Sequence, residues 1–141
     1  MAYGLKRTDL QSIAQAKVDD AHLLFQNGRF SNSYYLAGYA IEIALKACIA
    51  AQISAETIPD KDILRKVLNH EFPVLVGLAG LATALKEQQD CDSLFAANWA
   101  IVSEWKPDVR YESTDSTAAQ QMLSALTDAA SGVLQWIKLY W

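Results

Sequence analysis

The sequence predicts an all-α fold, a bundle of helices around one apolar core. Three observations predict it. Apolar residues recur at helical spacings of three and four along most of the chain. Only three prolines and six glycines interrupt 141 residues that are rich in Ala, Leu and Ile. No alternating strand pattern and no internal repeat occur, so the length predicts a single domain, residues 1–141.

The first helix is expected from Asp9 to Gln26, where Leu10, Ile13, Ala14, Ala21, Leu24 and Phe25 share one stripe. Asn27-Gly28 ends it, with Gly28 suited to the left-handed position after a helix. Ser31 is the expected cap of the second helix, which runs to about Gln52. That helix is apolar nearly all the way round and must be wrapped by other helices. A connector containing Pro59 leads to a short helix, Lys61 to Leu68. Pro73 opens another helix, carrying Val74, Leu75, Leu78, Leu81, Ala82 and Leu85. Gly77, Ala79 and Gly80 within it are expected to admit a close neighbour. Gln88 to Asp92 reads as a turn, with Asp90 or Asp92 capping a helix that ends near Trp105. A polar loop follows Pro107. Thr117 and Gln120 match a capping box for the last helix, whose stripe continues to Ile137. The aromatic end, Trp136, Tyr140 and Trp141, is expected to pack on the domain or on a second copy.

The composition, 52% apolar and 20% charged, fits a globular chain. The net charge is −4 and the pI near 5.0, with no Lys/Arg run, which argues against tight nonspecific DNA binding. Cys48 and Cys91 read as small core hydrophobes in a reducing cytoplasm, and no Cys/His spacing suits a metal. The first residues, Met1 to Arg7, lack the apolar core of a signal peptide, and no apolar run approaches the ~20 residues of a bilayer span. No cofactor motif is found: there is no phosphate-cradling glycine loop and no nucleophile elbow.

A few polar residues stand out. Glu42 and Lys46 lie four apart in the apolar second helix, on the face that also carries Tyr35, Gly38 and Tyr39. The pair reads either as a structural ion pair or as a site in which Glu42 also orients an Arg or His from elsewhere. Gly38 leaves room beside Glu42 for an incoming side chain. His70 precedes a helix, in a turn role or as a functional group, and Arg65 five residues before it completes Arg-x(4)-His. Arg110, beside Tyr111, either forks a phosphate or pairs with an acid such as Glu42 or Glu104 and pins its loop. His22 is expected to be exposed.

Together, Gly28-Arg29-Phe30-Ser31-Asn32, then Tyr34-Tyr35-Leu36-Ala37-Gly38-Tyr39-Ala40, Glu42 and Leu45-Lys46-Ala47 resemble the second helix of HEPN domains. These are small helical domains often encoded beside nucleotidyltransferases. His70 before an apolar helix, and Asn98-Trp99 leading to Trp105, Arg110 and Tyr111, resemble the family's later landmarks. The resemblance spans roughly residues 9 to 138. It implies an up-and-down bundle of four to five helices, a homodimer, and a link to RNA or nucleotides. Many HEPN proteins are metal-independent ribonucleases with an Arg-x(4–6)-His signature, in which Asn, Asp or His usually follows the Arg. Here Lys66 follows Arg65, and no His stands suitably beyond Arg110. The expected role is therefore nonenzymatic: an RNA- or nucleotide-binding or accessory module, paired with a nucleotidyltransferase-like partner in a toxin–antitoxin system. Tyr35, Tyr39, Glu42, Lys46, His70, Arg110 and Tyr111 are its expected polar site. The competing readings are a ribonuclease toxin using Arg65 and His70, and a purely structural homodimer.

Overall fold

An apolar helix with one embedded acid sets the architecture. In the computed structural model, which describes residues 4–141, this helix lies at the centre. The expectation for Met1-Ala2-Tyr3 falls outside the described residues. The elements are α1 (Arg7–Gln26), α2 (Phe30–Gln52), α3 (Lys61–Val67), α4 (Phe72–Leu78), α5 (Ala82–Cys91), α6 (Ser93–Ser103), a 3₁₀ helix (Pro107–Tyr111), α7 (Ser116–Thr127) and α8 (Val133–Lys138). No strand occurs among the described residues.

Helix α2 packs chiefly against α1, and also against α4, α7, α8 and the 3₁₀ helix. Ala37, Ala40, Ala44 and Ala47 are fully buried and let the neighbours come close, while Ile41, Leu45 and Ile49 fill the space between them. Each of these large side chains contributes about 1.5–3 kcal/mol by leaving water. Ser33, equally buried, donates from its hydroxyl to the Ala21 carbonyl at 2.7 Å and ties α1 to α2. The expectation that no apolar run reaches bilayer length needs correction. By length and composition α2 does, with 23 residues and a mean hydropathy of 1.3 over its most apolar window. Its neighbours bury 61% of that window, as they do for a core helix.

The chain breaks into more helices than periodicity suggests. The helix opened by Pro73 stops at Leu78 because Gly80 takes φ +70°. The Gly80 N–H donates to Gly77 and the Leu81 N–H to Val76, the paired bonds that close a helix with a left-handed residue. Gly80 therefore terminates α4 rather than admitting a neighbour, and Gly77 faces open space. Gly28 closes α1 in the same way, at φ +73°. The expected turn at Gln88–Asp92 is helical through Cys91, and Asp92 alone separates α5 from α6.

The last helix is also divided. Asp128 turns its side chain back on the chain, accepting from the Ala130 and Ser131 N–H groups at 3.0 and 2.7 Å, and α8 starts afresh at Val133. Asp92 caps α6 through the Phe95 N–H and accepts from the Ser131 hydroxyl at 2.8 Å. Asn98, buried on α6, donates to the Ser131 carbonyl at 2.9 Å. These bonds pin the α7–α8 corner to α6.

Two expected caps are replaced. Asp115, not the Thr117 box, caps α7 by accepting from the Ala118 N–H at 2.8 Å. Ser31 leaves α2 uncapped and accepts from the Thr114 N–H at 2.8 Å, fastening the loop before α7. Cys48 is buried, but Cys91 is exposed at the end of α5 and is no core residue. The aromatic end packs on its own chain: Trp136 lies 5.5 Å from Phe95 and 5.4 Å from Tyr140, and Arg7 donates to the Trp141 carbonyl.

Candidate functional site

Glu42 reaches the middle of the bundle from α2, bordering a groove against α1. Its side chain is 2% exposed, so both oxygens need partners. Lys46, one turn on, donates to Oε2 at 3.1 Å. Nδ1 of His70 meets Oε1 at 2.8 Å. His70 comes from the connector between α3 and α4, which the Asn69 side chain folds by accepting from the Glu71 N–H at 2.7 Å. Buried Phe72, the next residue but one, anchors that connector in the core. A carboxylate only accepts, so Nδ1 carries the imidazole proton toward Glu42. The His70 ring is 53% exposed, and Nε2 has no hydrogen-bond partner among the described residues.

The side chain that enters beside Gly38 is Trp105. A Cβ on Gly38 would lie 2.1 Å from Cδ1 of that indole, so only glycine fits here. Trp105 stacks on Phe72 with ring centres 5.6 Å apart and planes 6° apart. Tyr35 and Tyr39 flank it at 6.0 and 6.4 Å. The indole N–H is buried without a hydrogen-bond partner, an arrangement costing about 1–3 kcal/mol that the ring contacts offset.

Beyond Trp105 opens a cleft of about 850 Å³, whose lining includes His70, Glu71, Trp105, Lys106, Asp108 and Arg110. Three potential cations therefore share it with two acids. The Arg110 guanidinium lies 4.9 Å from the centre of the Tyr111 ring. Contacts with the phenol oxygens of Tyr111, then of Tyr35, push its already high pKa further up. Tyr111 itself is 78% exposed.

On the other side of Tyr35, a groove of about 480 Å³ runs between α1 and α2, bordered by Leu10, Ile13, Lys17, Tyr39, Glu42 and Lys46. Burial raises the Tyr39 pKa, and the charge of Glu42 adds to the effect. Lys17 lies 5.9 Å from the centre of the Tyr39 ring.

The structure thus joins Glu42, Lys46 and His70 by hydrogen bonds, and Tyr35, Tyr39, Arg110 and Tyr111 by ring and phenol contacts. Arg110 does not pair with Glu42, whose oxygens are taken by Lys46 and His70. Nor does it pin its loop through Glu104, which lies with Glu112 near Tyr34 and raises that phenol's pKa after burial itself. Arg65 is exposed and pairs with Asp62 on the surface of α3. It is not among the cleft's lining residues. Sequence reasoning missed Lys17 and the wall formed by Phe72 with Trp105. Trp105 stood out only as a landmark, and Lys17 carries no local signal, because its neighbour Tyr39 is on another helix.

In comparisons with protein-family models, curated proteins and solved structures, nothing matches this chain.

Proposed function

We propose that the chain is a nonenzymatic HEPN-type module that binds RNA or a nucleotide through phosphate in the cleft beside His70. The observation that carries this reading is the convergence of His70, Lys106 and Arg110 on one cleft, with the exposed Tyr111 next to Arg110 in the chain. Arg forks a phosphate, a His70 ring protonated on both nitrogens donates to it from Nε2, and an exposed phenol ring offers a stacking face to a base. Glu71 and Asp108 in the same cleft, with a net charge of −4, favour a weak and selective site over general nucleic-acid binding. The up-and-down HEPN-like arrangement, a homodimer, a cytoplasmic setting and a nucleotidyltransferase-like partner in a toxin–antitoxin pair belong to this reading through the α2 sequence pattern. A nucleotidyltransferase gene beside this one supports the pairing, and its absence counts against it.

One observation favours a second reading, a metal-independent ribonuclease. Glu42 holds the Nδ1 side of His70 and leaves Nε2 to the cleft, an orientation suited to moving the proton of a 2′-hydroxyl. Arg65, engaged by Asp62, is not in place to hold the phosphate.

The test is fluorescence anisotropy of a labelled single-stranded oligoribonucleotide in EDTA, with gel analysis of the same samples. Binding without cleavage supports the module. Cleavage that is lost in His70→Ala replaces it with the ribonuclease.

A further inference from the structure

The outer flank of α1 carries a charge pattern that is its own complement. Asp9, Ile13, Lys17 and Asp20 follow one another at spacings of four, four and three, so they form a single stripe along the helix, and Lys6, the extended residue just before its first turn, stands three residues ahead of Asp9. Lys6, Asp9, Ile13 and Asp20 are exposed, and Lys17 is half-buried. The stripe reads plus, minus, apolar, plus, minus. Rotated by a half-turn about Ile13, it places Lys6 opposite Asp20 and Asp9 opposite Lys17. A parallel in-register copy would instead set like charges against each other.

We infer that this stripe is the contact between two copies of the chain, packed antiparallel along α1 with the two-fold axis at Ile13. The inference rests on the homodimer in the reading above and assigns it a surface; it is independent of what the cleft binds. Of the apolar surfaces that suggest a dimer from the sequence, most of α2 and Trp136 are buried within the chain, while Leu139 and Tyr140 stay 74% and 39% exposed.

The α1 stripe is different. None of its four charges forms an ion pair within the chain, among the described residues. Ile13 remains 42% exposed at its centre, and beside it Leu5 is 74% exposed. Ile13 and Lys17 also border the 480 Å³ groove, so a second copy seated on the stripe covers that opening. A two-fold contact uses one patch twice, and a self-complementary charge order is what such a patch requires. Rim ion pairs add little affinity, but they set register and penalise wrong arrangements. The dimer is accordingly salt-sensitive.

Charge reversal tests this on the full chain by sedimentation velocity at micromolar concentration. Wild type is expected near 31 kDa, twice the 15.6 kDa of one chain, and to shift toward monomer in high salt. Asp9→Lys faces Lys17 of the other copy, and Lys17→Asp faces Asp9, so each alone weakens association at least about tenfold. An equimolar mixture of the two variants pairs opposite charges again and restores the dimer, as does the double variant. Recovery on mixing also shows that each variant is folded. A monomeric wild type overturns both this inference and the dimer in the reading above. A dimer indifferent to both reversals overturns the α1 surface alone. RNA binding, measured separately, decides neither.

Discussion

Glu42 and His70 lie 28 residues apart in sequence and 2.8 Å apart in space, a buried carboxylate holding a half-exposed imidazole. Lys46 occupies the other carboxylate oxygen. The acid is thus satisfied inside the bundle while the ring it orients faces the cleft.

Removing that carboxylate leaves Lys46, 15% exposed, without its partner and frees the His70 connector. Breaking a buried pair costs about 3 kcal/mol. For a chain of this size Glu42→Ala is expected to lower Tm by about 10 °C. Glu42→Gln, which keeps an acceptor, is expected to cost less. Thermal melts followed by circular dichroism check both, and equal melting of Glu42→Ala and wild type would contradict the buried site.

Gly38→Ala drives a methyl group into the Trp105 indole, which stacks on Phe72 and cannot retreat freely. Overpacking of this kind costs about 1–3 kcal/mol. The expected signature is a lower Tm together with red-shifted tryptophan emission. Adding Trp105→Phe makes room, so the double variant is expected to be less destabilised than the sum of the single changes.

How much of this was legible in the sequence depends on the range of each interaction. The enclosed α2 and the Glu42–Lys46 pair could be read directly, because an unbroken apolar helix and a four-residue spacing are local facts. The room left by Gly38 was legible as well, but not that Trp105 fills it, since the two are far apart in the chain. His70 stood out without its partner for the same reason. Periodicity ran straight through the breaks at Gly80 and Asp128, because the apolar stripe continues on both sides. A left-handed glycine ends the first helix, and a side chain turned back on its own backbone ends the second. Neither changes the hydrophobic pattern.

The Asp92 carboxylate is held below its ordinary pKa of 3.8, first by the Phe95 N–H and then by the Ser131 hydroxyl. A depressed folded-state value means that its ionised form stabilises the fold. That contribution is complete above the ordinary value and is lost as pH falls through the folded one. Asp92→Asn is therefore expected to be less stable than wild type at neutral pH, with the difference shrinking as pH falls below the ordinary 3.8. Urea unfolding at several pH values measures it, and a difference constant across that range would contradict the role given to the carboxylate.

The central claim is that the cleft beside His70 binds phosphate. Its most direct measurement is the salt dependence of oligoribonucleotide affinity for wild type and Arg110→Ala. Each phosphate contact contributes a slope of about 0.7 in log affinity against log salt for a single strand. The account predicts salt-sensitive binding by wild type, and a weaker, shallower dependence for Arg110→Ala, with no loss of thermal stability. Absence of binding at low salt, or an affinity and slope unchanged by Arg110→Ala, would contradict it.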